Sequence, residues 1–257
     1  MQIAGIQFDY VESEPFEARV ARMVGLVASA ADADPVVLPE LWPNGGFTYA
    51  TWEPTAQELS GDIVRQLQDA ARSADVVLHG GSFIERRPDG SLTNTAVVIE
   101  RDGSVVAVYR KIHLFGFTDG EPKYLAAGQT VEVADTSIGR LGLATCYDLR
   151  FPEMFRRLVD QQVDLFVVPA AWPAPRVEHW TVLARARAIE NQTPLVAVNT
   201  SGTHGGVEMG GRSLVVDAQG VVLAEAGADE TVLRATVDAE DTRAWRERFP
   251  ALGDRRL

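Results

Sequence analysis

Cys146 is the only cysteine in the 257-residue chain, and it lies in the stretch GRLGLATCYDLRFPE at residues 139–153. A lone cysteine after an apolar strand is either a small buried hydrophobe or a nucleophile. GLATC ends a predicted strand, and RFPEMFRRLV begins a predicted helix with Pro152 near its first position, where the missing N–H costs nothing. We therefore predict an exposed thiol in a sharp strand-to-helix turn, near a helix N-terminus whose dipole favours thiolate.

Two further ionisable residues stand where predicted apolar strands stop. Glu40 follows VVLP and Lys111 follows VVAVYR. Side chains at strand ends can converge in α/β proteins while the strands behind them stay rigid. A carboxylate and an ammonium beside Cys146 would form its thiolate and stabilise a developing oxyanion. Taken singly, Glu40 could be a solvated loop carboxylate and Lys111 a charged residue that protects a strand end.

No other site chemistry is supported by the sequence. None of the four histidines pairs with another at the spacing of metal ligands. They are His79, His113, His179 and His204. The glycine-rich pieces at 80–81 and 205–211 lack the strand-to-helix context of a nucleotide-binding loop, so we predict turns there. The sequence thus predicts neither a metal nor an organic cofactor.

The elements that must position these residues follow an α/β pattern, because short runs rich in Val, Ile and Leu alternate with stretches of helical spacing. The first half predicts strand 2–8, helix 13–31, strand 35–39, helix 56–73, strand 76–80, and strands 95–101 and 104–111 joined by a tight turn at Asp102-Gly103. The second half predicts strand 140–145, helix 152–161, strand 164–168, helix 177–192, strand 195–200, and a hairpin at 212–226 that turns at Gln219-Gly220.

The order of elements in the first half recurs in the second, which indicates a diverged internal duplication. VVLPE and VVPAAW occupy equivalent places in the two halves. Two similar sheets with helices on one face each would pack sheet against sheet, as a four-layer α-β-β-α sandwich in one domain spanning 1–257. The loops at 41–55 and 112–130 are rich in Gly, Pro and aromatic residues, and loops of this length are usually functional.

Composition excludes several classes of partner. The formal net charge of −12 would repel nucleic acid and anionic lipid, which both require clustered Lys and Arg. No apolar run approaches the roughly 20 residues that span a bilayer. The N-terminus lacks the basic flank and long apolar stretch of a signal peptide, so we predict a cytoplasmic protein. A single cysteine cannot form an internal disulfide, which fits a reducing compartment.

With these stretches assembled, the chain resembles the nitrilase superfamily of carbon–nitrogen hydrolases over nearly its whole length. The resemblance rests on LPEL at 38–41, RKIHLF at 110–115 and CYDLRFPE at 146–153, with further matches at HW 179–180, RARAIENQ 185–192 and the closing RERFPALGDRRL. Three motifs in the family's order, each at a strand end, are a specific signal. The resemblance implies the nitrilase-type α-β-β-α sandwich with its two repeated halves, commonly paired through the flanking helices into a homodimer.

The resemblance also implies roles for four residues. Glu40 would be the general base, Lys111 the cation that stabilises the oxyanion, and Cys146 the nucleophile. Glu121, in TDGEPKY, would be the second glutamate that many members use to position the substrate and the lysine. A solvated turn carboxylate before Pro122 is the alternative for Glu121.

Within the superfamily, the chain looks most like the branch of omega-amidases and deaminated-glutathione hydrolases. In true nitrilases Trp commonly follows the nucleophilic cysteine, whereas here Tyr147 follows it. This likeness implies hydrolysis of a small primary amide to an acid and ammonia through a thioester, with the backbone N–H of Tyr147 as a second oxyanion donor. The leading substrates would be monoamides of short dicarboxylic or 2-oxo acids, such as 2-oxoglutaramate.

Several residues are candidates for substrate contact. Arg150 should lie in the first helical turn, where a guanidinium could bind a carboxylate at the far end of the amide. It could instead pair with Glu153 or Asp148 and only hold the turn. Arg176 is a second candidate for the carboxylate. The remaining candidates are Tyr147, Ala171, Trp172 and Phe117, and the last two could simply be core residues.

The sequence is also compatible with other functions. The same Glu-Lys-Cys site could serve a nitrilase or an N-carbamoyl amino acid hydrolase. A non-catalytic binding protein on the same fold is a further alternative, although the presence of all three reactive residues argues against it. Acyl transfer to an amine or lipid would require an acceptor channel that a sequence does not reveal.

Overall fold

The computed structural model describes residues 1–116 and 119–256, and its strands form three sheets. No helix within these residues is long and apolar enough to cross a membrane. In chain order the strands are β1 (Gln2–Gln7), β2 (Asp9–Tyr10), β3 (Val36–Val37), β4 (Leu78–Arg86), β5 (Leu92–Ile99), β6 (Val105–Arg110), β7 (Val133–Thr136), β8 (Gly139–Leu143), β9 (Leu165–Pro169), β10 (Leu195–Val198), β11 (Ser201–His204), β12 (Val207–Glu208), β13 (Leu214–Val216), β14 (Val222–Glu225) and β15 (Thr231–Thr236).

The helices lie mainly between the parallel strands. The α-helices of the described residues are α1 (Phe16–Ala28), α2 (Tyr49–Thr55), α3 (Asp62–Ala74), α4 (Pro152–Val159), α5 (Val177–Asn191) and α6 (Ala239–Arg248). Short 3₁₀ helices occur at Glu121–Lys123, Cys146–Arg150, Ala174–Arg176 and Ala251–Asp254.

The two large sheets have the same topology, which confirms the predicted duplication. The first sheet has the order β15-β1-β3-β4-β5-β6, and the second has β7-β8-β9-β10-β13-β14. In each sheet, an antiparallel edge strand is followed by three parallel strands and then by two antiparallel strands. VVLPE and VVPAAW contribute the central parallel strands β3 and β9, so their places are indeed equivalent.

Successive side chains along each strand point to opposite faces of the sheet, which divides the core into layers. Ile3 and Val98 belong to the apolar cluster that the first sheet shares with the second. Their chain neighbours Ala4 and Val97 pack on the opposite face with α1 and α3. The sheets approach so closely that a Cβ on Gly5 would lie 2.8 Å from a side-chain carbon of β10. With α4 and α5 packed into the second sheet's cluster, the predicted four-layer sandwich is confirmed.

Some elements differ from the predicted ones because their sequences carry a weak apolar pattern. The edge strands β7 and β15 and the small third sheet, β12-β11-β2, were not predicted. Helix α6, AEDTRAWRER, was also missed because it is mostly charged and buries only Thr242. Its one sequence signal is the N-cap Asp238, whose side chain accepts from the backbone N–H of Glu240 at 2.8 Å. The predicted loop at 41–55 contains helix α2, and the predicted helix at 56–73 begins only at Asp62.

The strand ends bring the candidate residues to one side of the sandwich. Glu40 comes three residues after β3, Lys111 directly follows β6, and Cys146 comes three residues after β8. All three line one cavity. The fold therefore meets the central expectation from the sequence, namely that these three segments converge.

Candidate active site

Glu40 is held rigidly in a buried position. Its residue is 2% exposed, and its carboxylate receives three hydrogen bonds. Oε1 accepts from Lys111 Nζ and from Asn94 Nδ2, both at 2.8 Å. Oε2 accepts from the backbone N–H of Ala171 at 2.8 Å. These donors fix the carboxylate between the two sheets, since Ala171 follows β9 of the second sheet, and they rule out the solvated loop carboxylate.

Lys111 lies between two carboxylates and is equally buried. Its Nζ is 2.8 Å from Glu40 Oε1, and it is 3.0 and 2.8 Å from the two oxygens of Glu121. Burial lowers the pKa of the Lys111 ammonium, but the Glu121 and Glu40 carboxylates outweigh burial and raise that pKa well above its usual range. The lysine therefore stays charged at any physiological pH, and a protective role at a strand end is excluded.

Glu121 begins the short 3₁₀ helix Glu121–Lys123, which lies within the second long loop. Its Oε2 also accepts from the backbone N–H of Phe115 at 2.5 Å. Burial raises the pKa of Glu121 above its usual value, and although Lys111 lowers it, the nearby Glu40 adds to the rise. Glu121 is thus a buried partner of Lys111 rather than a solvated turn carboxylate.

Cys146 has a strained backbone and a buried thiol. Its φ of 49° lies in the left-handed region, as expected for a nucleophile presented on a sharp turn. The predicted exposure of the thiol is wrong, since the residue is 7% exposed. Burial raises the pKa of the thiol well above its usual range, the Glu40 carboxylate raises it further, and Lys111 only partly opposes them. The helix dipole cannot compensate, because the sulfur sits on a five-residue 3₁₀ helix and α4 begins only at Pro152.

The turn that carries Cys146 is anchored by Asp148. Thr145 and Asp148 form a capping box at the start of the 3₁₀ helix, with the Thr145 N–H donating to Asp148 Oδ2 at 2.8 Å. The Tyr109 hydroxyl donates to the same oxygen at 2.6 Å. His113 contacts Oδ1 through its backbone N–H at 3.0 Å and its Nδ1 at 2.7 Å. Asp148 therefore ties the Cys146 turn to residues on both sides of Lys111 in the chain.

The cavity above these groups has about 410 Å³ of space between its wall atoms, which includes space open to solvent. Nine of the ten predicted substrate and catalytic residues lie on its wall together with aromatic side chains that were not predicted. The lining residues are Glu40, Gly46, Phe47, Tyr49, Lys111, Phe115, Glu121, Cys146, Tyr147, Arg150, Ala171, Trp172, Pro173 and Arg176. The predicted Phe117 lies outside the described residues.

Arg150 and Arg176 both reach the cavity, but Arg150 does so from an unexpected element. It is the last residue of the 3₁₀ helix rather than part of the first turn of α4. Its guanidinium carbon lies 4.7 Å from the Trp172 ring centroid, and Nη2 is 3.4 Å from His179 Nδ1. The guanidinium carbon of Arg176 lies 5.4 Å from the Phe115 ring centroid.

Neither guanidinium pairs with a carboxylate in the part of the chain that the structure describes. The expected alternative, pairing of Arg150 with Glu153 or Asp148, is not found. Asp148 instead receives its donors from Tyr109, Thr145 and His113.

Sequence reasoning missed Asn94, which contacts both glutamates of the site. The only signal was the polar run TNT at 93–95 inside the otherwise apolar strand β5, where a buried polar group needs a partner. Phe47, Tyr49 and Phe115 were also missed individually, although they belong to the two long loops that were predicted to be functional. Within the described residues, no cluster of three or more His, Cys, Asp or Glu side chains is arranged to hold a metal ion.

Comparison with known proteins agrees with this geometry. The family model for carbon–nitrogen hydrolases matches residues 2–247. The 2-oxoglutaramate amidase of Paenarthrobacter nicotinovorans is 42% identical over 263 residues, which cover 100% of this chain and 90% of that protein. Nit3 of Saccharomyces cerevisiae, a member of branch 10 of the nitrilase superfamily, matches with a TM-score of 0.90 at 27% identity, over 97% of this chain and 94% of Nit3.

A second similar structure bears on the cysteine. It is a mutant of the amidase from Nesterenkonia sp. AN1 in which acrylamide has added to the active-site cysteine, with a TM-score of 0.84 and 26% identity, covering 96% of this chain and 98% of that one. The resemblance inferred from LPEL, RKIHLF and CYDLRFPE is therefore confirmed. The chain belongs to the carbon–nitrogen hydrolase family, and it is an amidohydrolase.

Proposed function

We propose that this amidohydrolase cleaves small primary amides that carry a carboxylate at their far end, and that 2-oxoglutaramate is its principal substrate. The observation that carries the proposal is the pair of guanidiniums, Arg150 and Arg176, in the same cavity as Cys146. In a chain with a net charge of −12, two cavity arginines without a carboxylate partner among the described residues favour an anionic ligand. The relative named 2-oxoglutaramate amidase supports the choice of substrate.

In the proposed mechanism, Glu40 is the general base for the attack of Cys146 on the amide carbon. Because burial keeps the thiol pKa high, the sulfur rests as S–H and loses its proton to Glu40 as the C–S bond forms. The carbonyl oxygen becomes an oxyanion, which Lys111 and the backbone N–H of Tyr147 stabilise. Glu121 holds the lysine ammonium in place. The C–N bond then breaks, and Glu40 returns its proton to the nitrogen, which leaves as ammonia.

The second half of the cycle hydrolyses the thioester. Glu40 takes a proton from water as the water oxygen attacks the acyl carbon, and the same two donors stabilise the second oxyanion. The C–S bond breaks, the acid leaves, and the proton held by Glu40 returns to the sulfur. One amide and one water thus yield one acid and one ammonia.

The substrate proposal is tested by ammonia release from a panel of omega-amides, N-carbamoyl amino acids, neutral aliphatic amides and nitriles. We expect 2-oxoglutaramate to have the highest kcat/KM. In Arg150→Leu or Arg176→Leu, losing a charge-assisted contact worth about 1.5–3 kcal/mol should lower kcat/KM for 2-oxoglutaramate by about 10- to 100-fold.

The specificity of this effect is checked with two controls. Pentanamide, which lacks the carboxylate, should be hydrolysed equally well by the wild type and by both arginine variants. Arg157→Leu, which removes an exposed arginine from α4, should change neither substrate's kinetics. Preference for a nitrile or an N-carbamoyl amino acid would refute the substrate proposal, as would equal losses on the charged and neutral amides.

We further propose that the chain forms a homodimer in the cytoplasm. Val182 and Ile189 lie seven residues apart on the same exposed face of α5, at 62% and 49% exposure. Exposed Val221 adjoins Gly220, which Ile189 touches, and exposed Phe249 accepts a hydrogen bond from the residue that follows α5. An exposed apolar patch of this kind marks an interaction surface, and a second copy of the chain is the expected partner. A reducing compartment would keep the lone thiol intact.

A further inference from the structure

Asn94 is the one uncharged side chain that contacts both glutamates beside Lys111 among the described residues. Its Nδ2 lies 2.8 Å from Glu40 Oε1 and 3.0 Å from Glu121 Oε1. Its backbone oxygen accepts from the backbone N–H of Lys111 at 2.9 Å. A single residue of β5 therefore contacts both glutamate side chains and the backbone of Lys111.

The orientation of the Asn94 amide follows from its neighbours. Two carboxylate oxygens within 3.0 Å require a donor, so the NH₂ group and not Oδ1 must face them. An NH₂ group has two hydrogens, which allows one to each carboxylate at the same time. The residue is 1% exposed, so water does not replace these hydrogen bonds.

The charge balance of the site explains why such a donor is needed. Glu40 and Glu121 share the single ammonium of Lys111, so the ionised pair leaves one uncompensated negative charge in a buried volume. The two ionised carboxylates repel each other, and burial strengthens this repulsion. Lys111 must also turn part of its donor capacity to an oxyanion in the proposed mechanism. During that step, Asn94 is the donor that continues to hold both carboxylates.

Asn94 also determines which oxygen of Glu40 is free. Oε1 already accepts from Lys111 and Asn94, whereas Oε2 accepts only from the Ala171 N–H among the described residues. A carboxylate oxygen has two acceptor positions. The open position on Oε2 is therefore where a proton from sulfur or water can arrive.

We propose that Asn94 is a positioning residue of the amidase, which holds Glu40 and Glu121 side by side on Lys111 and leaves Oε2 of Glu40 to accept the proton. This inference rests on the proposed role of Glu40 as the base, but it does not depend on which amide is the natural substrate.

Removing the two donors should affect the pH dependence of the reaction. Loss of the Asn94 donor should raise the pKa of Glu121 further, because it removes a hydrogen bond to the ionised carboxylate, so the acidic limb of the rate profile should move upward. The titratable and charged groups facing the Glu40 carboxylate and its Glu121 partner are Lys111, Cys146, Tyr49 and Tyr109. The pKa of each of these four groups is raised above its usual value, so none of them titrates on the acidic limb.

The test compares Asn94→Leu, which has a similar size and no donor, with Asn94→Asp, which keeps the shape and replaces the donor with an acceptor. Asn191→Leu is the matched control, because Asn191 is also fully buried and also has an Oδ1 without a partner, but donates to the backbone of α5. The readouts are kcat and KM on whichever amide the wild type hydrolyses fastest, and the pH profile of Cys146 alkylation by iodoacetamide, followed by mass spectrometry.

We expect kcat to fall by about 10- to 100-fold in Asn94→Leu with a much smaller change in KM. The acidic limb of alkylation should move up by about one pH unit. Asn94→Asp should lose at least as much kcat, and it covers the case in which the leucine variant does not fold. Asn191→Leu should lower only the melting temperature.

The proposal is overturned if both Asn94 variants keep kcat within about threefold of the wild type, or if Asn94→Leu changes only the melting temperature as Asn191→Leu does. Alkylation requires no turnover, so the two proposals can fail separately. If the acidic limb of alkylation moves in Asn94→Leu but the wild type does not hydrolyse 2-oxoglutaramate, the substrate proposal is refuted and the role of Asn94 stands. If the limb does not move but the wild type hydrolyses 2-oxoglutaramate, the role of Asn94 is refuted and the substrate proposal stands.

Discussion

At the scale of single residues, Asp148 links the two halves of the site. It is fully buried, and its two oxygens receive Tyr109 from strand β6, His113 from the segment after Lys111, and Thr145 from the Cys146 turn. These contacts set the distance between the lysine ammonium and the sulfur without involving either one directly. Small errors in such a distance are costly in catalysis, since a misplacement of about 1 Å can reduce rates by about 100-fold.

Asp148→Asn should therefore reduce kcat without abolishing folding. An amide turns an NH₂ group toward some of the donors that now face the carboxylate, and each lost buried hydrogen bond costs about 1–3 kcal/mol. We expect kcat to fall by about 100-fold and the melting temperature to drop, as measured by ammonia release and calorimetry. Asp135→Asn, whose side chain is 77% exposed, is the control. Wild-type kcat in Asp148→Asn would contradict the linking role.

At the scale of elements, α5 has both an inner and an outer function. Its buried side packs Trp180, Ala184 and Ala188 into the second sheet's core. Buried Arg187 donates to the backbone oxygen of Leu149 in the Cys146 turn at 3.0 Å. Its outer side carries the exposed apolar residues of the proposed dimer face. A partner seated there would rest on the helix that supports the Cys146 turn.

Charges on this outer face should separate the proposed dimer. The double variant Val182→Glu with Ile189→Glu places carboxylates where two apolar faces would meet, so desolvation and repulsion both oppose association. Light scattering should give twice the mass of one chain for the wild type and the mass of one chain for the variant. Val106→Glu changes an exposed apolar residue on β6 and should leave the dimer intact. A monomeric wild type would refute the dimer.

At the scale of the whole molecule, the sequence predicted the duplicated sheets and the convergence of Glu40, Lys111 and Cys146, and the family resemblance implied that Glu121 joins them. Strongly apolar strands such as β9 and β10 carry enough pattern to be recognised, and three ordered motifs mark their ends. These features depend on local sequence, which explains why they were predictable.

Features that depend on tertiary packing were not predicted. In the sequence, Asn94 is an ordinary polar residue. Its role depends on hydrogen bonds to Glu40 and Glu121, which belong to distant segments that only folding brings beside it. The buried state of Cys146 depends on walls from both long loops, which outweigh the local exposure and dipole inferred from the turn. Charged, weakly patterned α6 and the edge strands were missed because neighbouring elements stabilise them more than their own sequences indicate.

The central claim is that this convergence turns one buried sulfur into the acyl acceptor, and trapping the intermediate tests it most directly. The wild-type enzyme is quenched with acid while it turns over 2-oxoglutaramate, or the amide that it hydrolyses fastest. The masses of its peptides are then measured by mass spectrometry. We predict an added mass equal to the acyl group on the peptide that contains Cys146, and neither adduct nor ammonia release in Cys146→Ala. Undiminished hydrolysis by Cys146→Ala, or an adduct on a different residue, would contradict the account.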